Sequence, residues 1–334
     1  MRLDRTDWVL IRELYGWYVG NYPSGALRIS LPVLGKRVGL HQKTVKLRLQ
    51  ALRRNGVIEG PYFEPRPDLL GLQMSGYGLE GIPPHDAASL ESALASEPAV
   101  NTVVFASGYA YVVFMHEAGA DPGPIVERLR RGLGATDHWE SFARFDLRGA
   151  AAVPYEPSDL DWRLILALRR PPARSLAAVA RELHVTARTA ERRARRLIER
   201  GAGWMRTRFR PSRVEGSLYV HYVVMKGDGR AAASLAEAFP DRVIGPFGGE
   251  TRPNVGVAVE SLEEAERRRA EAEDLPGIEK VGLYLVRDWI FPLRFDRWLE
   301  ARVAKRTRRV RQGDILDGVR PGHDRGPRRK ERRA

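Results

Sequence analysis

Two stretches of this 334-residue chain carry arginines and lysines at spacings that suit contacts with phosphates and base edges. Residues 31–56 and 176–201 align without a gap at an offset of 145, which places Arg48 on Arg193. Each stretch has the pattern of two short helices joined by a tight turn, with a dense row of basic residues on the second helix. A cationic helix held by a helical scaffold is a common way of presenting side chains to a DNA groove.

Helical spacing is expected to direct the polar side chains of these second helices outward. In the first stretch the residues predicted to face the scaffold are Leu40, Leu47 and Leu52. Gln42 is predicted to pair with an adenine edge, and Lys43 or Lys46 with guanine or phosphate. The predicted DNA-binding residues of both stretches are His41, Gln42, Lys43, Lys46, Arg53, Arg188, Thr189, Arg192, Arg193 and Arg196.

The second stretch departs from the first at its turn and on its inner face. His184 replaces Gly39 at the turn, and Arg192 replaces Leu47, which is expected to disturb the packing. Glu191 is predicted to form an ion pair with Arg195, four residues further along the same helix. Two alternatives stay open at this point: a cationic face that only contacts solvent, and a second copy that has become purely structural.

Composition favours an anionic partner. The formal net charge is +14, and the segment 30–56 contains seven basic residues and no acidic one. Such a balance is typical of proteins that bind nucleic acid or membrane surfaces. No apolar run reaches the length of a membrane span, and the first ten residues lack the apolar core of a signal peptide. A cytoplasmic protein without membrane contact is therefore expected.

Catalytic and metal-binding motifs are absent from the sequence. There is no cysteine, and the seven histidines are scattered without a metal-binding spacing. No phosphate-binding glycine loop, dinucleotide fingerprint or nucleophile elbow occurs either. The sequence therefore predicts no metal, no cofactor and no enzymatic activity.

The remaining segments predict an α+β fold with tandem winged helix-turn-helix and ferredoxin-like βαββαβ units. The order strand, helix, strand, strand, helix, strand is predicted twice, over 72–145 and over 218–289. A two-stranded wing is predicted after each basic helix, with Arg206, Arg208 and Arg210 on one face of the second wing. The predicted division is 1–71 and 153–216 as winged helix-turn-helix domains, 72–152 and 217–302 as ferredoxin-like domains, and 303–334 as a basic disordered tail.

This layout resembles the Lrp/AsnC (feast/famine) transcriptional regulators. The resemblance is carried by Leu3-Asp4-x-x-Asp7, the basic helix 43–54, Gly56-Val57-Ile58 and Pro67-x-x-x-Gly71-Leu72. It implies binding of double-stranded DNA, pairing of sheet domains within one chain as a pseudo-dimer or between chains as a homodimer, and a small-molecule effector near a glycine-containing turn. The matching residues are Ser107, Gly108, Tyr109, Gly248 and Gly249. The acidic residue that often follows this turn in the family is absent from the first copy.

Two other functions remain as alternatives. Siroheme decarboxylases share the layout and use histidine and arginine side chains around a tetrapyrrole. The candidates for that role here are His116, His138, His221 and Arg252, although the sequence lacks the Asn-Tyr-x-Arg-x-His-like run expected on the strands. The other alternative is a dimerisation or adaptor module that does not bind DNA.

Overall fold

The computed structural model describes residues 1–20, 30–85, 87–142, 155–247 and 252–317. Its helices are α1 (Arg5–Gly20), α2 (Leu31–Val38), α3 (Gln42–Arg54), α4 (Ala87–Ala93), α5 (Gly123–Leu133), α6 (Asp159–Arg169), α7 (Leu176–Glu182), α8 (Ala187–Glu199), α9 (Ala231–Ala238), α10 (Leu262–Glu273) and α11 (Leu293–Asp317). Its strands are β1 (Ile58–Pro65), β2 (Leu72–Glu80), β3 (Val100–Ala106), β4 (Tyr109–Glu117), β5 (Asp137–Phe142), β6 (Gly203–Phe209), β7 (Leu218–Gly227), β8 (Ile244–Phe247), β9 (Asn254–Val259) and β10 (Ile278–Ile290).

The order of elements confirms the predicted fold class. In each half of the chain three helices are followed by one strand and then by a β-α-β-β-α-β unit. Strands β2 to β5 and β7 to β10 join one antiparallel sheet in the order β5-β2-β4-β3-β10-β7-β9-β8. Each unit contributes its strands in the order fourth, first, third, second, which is the ferredoxin-like arrangement. In the described part of the chain, none of the helices combines the length and the apolarity that crossing a membrane requires.

The sheet is curved, so side chains from strands that are not neighbours in it come into contact on one face. Trp139 lies on β5 at one end of the strand order, and the guanidinium of Arg252, just before β9, lies 5.3 Å from its ring centroid. Tyr109 and Tyr284 also stack, with ring centroids 4.2 Å apart, although β3 separates their strands. The helices α4, α5, α9 and α10 cover the outer face, and a mainly aromatic inner face remains between the two halves.

The predicted two-stranded wings are wrong. Each half supplies one strand instead, and β1 pairs with β6 in an antiparallel ribbon that joins the two halves. Ile58 lies opposite Phe209, and Pro65 lies opposite Gly203. β1 runs from Ile58 to Pro65 as one strand without reversing direction, so its hydrogen-bonding partner comes from β6 rather than from a hairpin.

A buried ion network occupies one side of this ribbon. The Arg169 guanidinium at the end of α6 donates to Glu64 at 2.5 Å and to Asp296 at 2.7 Å, and the Arg169 and Glu64 side chains are each only 3% exposed. Arg206 and Arg208 approach the same two carboxylates at 3.8 Å. Burial raises the pKa of Glu64, but Arg169 and Arg206 outweigh that effect, so its pKa lies below the ordinary value.

The arginines of the predicted second wing are all engaged with other side chains of the protein. Arg208 is buried, with its guanidinium 4.3 Å from the centroid of the Tyr62 ring. Arg206 donates to Thr102 at 3.0 Å, and Arg210 donates to Glu59 at 3.2 Å. These contacts explain why the alternation of basic residues along β6 does not produce a cationic outer face.

The predicted disordered tail, 303–334, overlaps the last helix of the structure. Residues 303–317 continue α11, and those beyond 317 lie outside the described residues. The first half of α11 packs through Phe295, Leu299 and Val303, which are all buried. Asp296 anchors the same helix to the ion network, and Arg302 pairs with Glu117 on β4. Burial of these apolar side chains stabilises a helix that the polar composition of the segment did not predict.

Replacing Arg169 with leucine is expected to destabilise the fold by about 3–5 kcal/mol, because Glu64 and Asp296 would stay buried without their closest cation. Arg170→Leu is the matched control, since the neighbouring Arg170 side chain is 49% exposed and pairs with Glu300 at the surface. Loss of such an exposed pair costs about 1 kcal/mol or less. Urea unfolding of both variants measures the difference, and similar small effects would contradict a central role for the network.

Candidate nucleic-acid interface

The first helix-turn-helix consists of α1, α2 and α3. The side chain of Ser30 caps α2, and Gly39 adopts the left-handed conformation (φ 68°) that ends it. His41 Nδ1 accepts a hydrogen bond from the Lys43 backbone amide at 3.3 Å and so caps α3. The face of α3 that packs against the scaffold is formed by Val45, Leu49 and Leu52, all fully or almost fully buried.

An ion pair fixes the angle between the first and third helices. Arg48 on α3 donates to Asp7 on α1 at 2.9 Å and to Asp4 at 2.8 Å. The hydrogen bonds to these two carboxylates raise the pKa of Arg48 above its ordinary value. Asp7 is 5% exposed, so the pair is partly shielded from solvent and orients α3 as well as neutralising charge.

The second helix-turn-helix, formed by α6, α7 and α8, repeats this construction. Arg193 donates to Asp161 at 2.9 Å and to Ser158 at 3.2 Å. Burial raises the pKa of Asp161, but the hydrogen bonds from Ser158 and Arg193 outweigh it and hold the pKa below its ordinary value. His184 takes the left-handed conformation (φ 56°) that Gly39 takes in the first copy, so the two turns have the same backbone shape.

The predicted DNA-binding residues of the first copy lie on one exposed surface. His41, Gln42, Lys43, Lys46 and Arg53 are all exposed. Leu52 is buried as predicted and Leu40 is half-buried, but the prediction that Leu47 faces the scaffold is wrong. Leu47 is 57% exposed, because Val45 and Leu49 fill the scaffold-facing positions on either side of it. Thr44 and Gln50 share this surface and were not predicted.

In the second copy the predicted residues divide into two groups. Arg188, Arg192 and Arg196 are exposed. Thr189 is half-buried beside the capping Thr186, and Arg193 is committed to Asp161. Arg193 is therefore a scaffold residue rather than a groove-facing one. The predicted pair between Glu191 and Arg195 is present at 3.6 Å. Arg192 does not disturb the packing, because its position points away from the scaffold.

Of the predicted effector residues, the structure describes Ser107, Gly108 and Tyr109. Ser107 and Gly108 are exposed at the turn between β3 and β4, where the Ser107 amide donates to the Leu285 carbonyl at 3.2 Å. Tyr109 is fully buried and points to the inner face of the sheet. Gly248 and Gly249 lie outside the described residues.

The residues considered as tetrapyrrole ligands lie on opposite faces of the sheet. His116 and His138 lie on strand positions that alternate with the inner-face residues, so they face outward, and His116 binds Ser75 at 2.9 Å. His221 and Arg252 reach the inner face. Across the described ranges, no group of three or more histidine or acidic side chains is arranged to hold a metal ion.

The inner face contains a second cluster of polar side chains among aromatic rings. His221 is fully buried, with its ring centroid 5.6 Å from that of Tyr219, and burial lowers its pKa to about 3. A Cβ on Gly256 would lie 1.9 Å from the Tyr219 hydroxyl and 3.2 Å from His221 Nε2, so only glycine leaves room for both. Asn254 is fully buried, and neither of its amide atoms has a hydrogen-bond partner among the described residues.

The arrangement of a helix-turn-helix followed by a β-α-β-β-α-β unit is Lrp/AsnC-like. No protein-family profile and no curated protein matches the chain. Among solved structures, the siroheme decarboxylase NirDL matches with 12% identity over 90% of this chain and 99% of its own, at a TM-score of 0.45. Its complex with an iron-uroporphyrin III analogue matches with 11% identity over the same shares, at a TM-score of 0.44.

Regulators match shorter parts of the chain. The AsnC family transcriptional regulator from Agrobacterium tumefaciens has 17% identity over 48% of this chain and 99% of its own, at a TM-score of 0.27. Mycobacterium tuberculosis LrpA has 21% identity over 43% of this chain and 95% of its own, also at a TM-score of 0.27. The prediction that the chain is not an enzyme is contradicted, because the structures that match 90% of it are those of a decarboxylase. At these identities the likeness concerns the fold.

Proposed function

We propose that this protein is a sequence-specific, DNA-binding transcriptional regulator whose recognition helices are α3 and α8. The observation that carries the proposal is the same in both copies. An Arg–Asp ion pair holds the inner side of each recognition helix, and the cationic side chains next to it are exposed. This separates the residues that fix the helix from those that can enter a major groove.

Charge supports the assignment of the exposed surfaces. On α3 the side chains of Lys43, Lys46 and Arg53 are exposed, and no acidic residue occurs within 30–56. On α8 the exposed arginines 188, 192 and 196 give a second cationic surface. Contacts of lysine and arginine with phosphates supply much of the affinity of DNA-binding proteins, whereas contacts with base edges supply specificity.

The pairing of β1 with β6 supports an intramolecular pseudo-dimer. These strands come from equivalent positions of the two copies and run antiparallel, which relates the flanking helices by a local two-fold axis. One chain then presents two recognition helices, as a homodimer of single-copy regulators does. Since α3 and α8 carry different side chains, the bound operator is expected to be asymmetric.

The double replacement of Lys43 and Lys46 by alanine is expected to weaken DNA binding and to flatten its salt dependence. Each lost phosphate contact lowers the slope of log K against log salt by about 0.9, so a change of about 1 to 2 is expected. The measurement is a fluorescence titration of a selected duplex at several salt concentrations.

The matched control for this experiment is the double replacement of Lys226 and Lys280 by alanine. Both lysines are exposed on β7 and β10, away from the helix-turn-helix units, and their removal changes the net charge equally. An equal loss of affinity in both double variants would mean that only overall charge matters. An unchanged affinity of the Lys43/Lys46 variant would reject α3 as a recognition helix.

A tetrapyrrole-binding enzyme is the second candidate function. The buried Asn254 side chain favours it, because buried polar groups nearly always have a hydrogen-bond partner and a ligand is one source of such a partner. His221 lies directly opposite Gly256 and on the same face as Asn254, and the Arg252 guanidinium stacks on the Trp139 ring. Such a face offers aromatic surface, one cation and a neutral imidazole to a planar anionic molecule.

Titration with iron-uroporphyrin III tests this second candidate by absorption spectroscopy. A saturable Soret shift is expected for the wild-type chain, with loss of the shift in His221→Leu. The control His138→Ala alters an exposed histidine on the outer face and is expected to keep the shift. Absence of any shift at micromolar concentrations in the wild-type chain would rule out the candidate.

A further inference from the structure

The exposed surfaces of α3 and α8 differ in chemistry at equivalent positions. At an offset of 145, Leu47 corresponds to Arg192, which gives the two helices an apolar and a cationic side chain at the same point. Other exposed pairs that differ in chemistry include Gln42 and Ala187, Lys46 and Glu191, and Gln50 and Arg195. Because each helix is held by its own, equivalent Arg–Asp pair, these side chains occupy corresponding places relative to their scaffolds.

Leu47 is an unusual residue for the exposed side of a cationic helix. It is 57% exposed and lies among Lys43, Lys46 and Gln50, one turn or less away on the helix. In the major groove an apolar side chain is suited to contact the 5-methyl group of thymine, and glutamine is suited to the edge of adenine. Leu47 and its exposed neighbour Gln50 are therefore suited to A·T base pairs, while Lys43 and Lys46 are left for phosphate contacts.

Arg192 gives α8 the opposite preference. Its guanidinium is exposed and has no carboxylate partner within the described residues, whereas Arg195 pairs with Glu191 at 3.6 Å. An unengaged arginine in the major groove is suited to bidentate contact with O6 and N7 of guanine. Arg188, one turn earlier on the same exposed surface, adds a second candidate for such a contact.

We infer that the two recognition helices bind half-sites of different base composition: Leu47 of α3 recognises a thymine methyl group, and Arg192 of α8 recognises a guanine. This inference rests on the proposed function and specifies the sequence class of its DNA partner. The unequal surfaces make the two half-sites non-interchangeable, so the direction of the operator fixes the direction in which the protein binds.

Selection of bound duplexes from random DNA tests the inference with two reciprocal variants. Leu47→Arg is expected to change one half-site position from T·A to G·C, and Arg192→Leu is expected to abolish the guanine preference in the other half-site. Each change is expected to alter discrimination by about tenfold. Leu262→Arg is the matched control, because it places the same charge at a 51% exposed leucine on α10.

Removal of one methyl group from the DNA tests the role of Leu47 separately. Substituting deoxyuridine for the selected thymidine removes only the 5-methyl group, which is expected to weaken wild-type binding about fourfold. Leu47→Ala is expected to bind both duplexes equally. Thermal unfolding checks that each variant is folded, which is expected because both positions are exposed.

The possible results separate the inference from the function on which it rests. Altered base preference confined to one half-site per variant, with no change for Leu262→Arg, supports the inference. Enrichment of an operator whose base preferences are unchanged in both variants overturns the inference and leaves DNA binding intact. Failure of the wild-type chain to enrich any sequence at low salt overturns the proposed function, and the inference with it.

Discussion

Arg169 brings its charge into the interior, where Glu64 and Asp296 bind it from two different parts of the chain. Because of these contacts, the second helix-turn-helix, the β1–β6 ribbon and α11 depend on one another. At the position equivalent to Glu64, the second copy has Phe209, which packs edge-on against Tyr219 and Trp289. The two equivalent positions of the ribbon thus have different surroundings, an ion network around Glu64 and aromatic rings around Phe209.

The same division between internal and external arginines recurs on a smaller scale in α8. Arg193 is committed to Asp161, while Arg192, one position away, points to solvent. Adjacent residues of a helix differ by about 100° in direction, which is enough to direct one side chain to the scaffold and the other to solvent. The first copy has the same arrangement in Arg48 and Leu47, and this shared geometry makes the exposed residues of the two helices directly comparable.

Local features were predictable from the sequence because they depend on nearby residues. The strand and helix order of both β-α-β-β-α-β units and the two helix-turn-helix units follow from periodicity and from the turn residues. The ribbon and the ion network were not predictable, because Glu64 and Arg169 are 105 positions apart and pattern analysis does not report such contacts. The exposure of Leu47 could have been found, since the apolar spacing Val45, Leu49, Leu52 already defines an inner face without it. Of the predicted recognition residues, Arg193 was misplaced because its partner Asp161 belongs to another helix.

These observations lead to one central claim, that a single chain supplies both recognition surfaces to one operator. The most direct test is the mass of the complex formed in solution between the purified protein and a duplex selected by it. One chain per duplex is expected, with both half-sites protected by that chain. Two chains on a palindromic duplex, each protecting one half-site through the same helix, would contradict it.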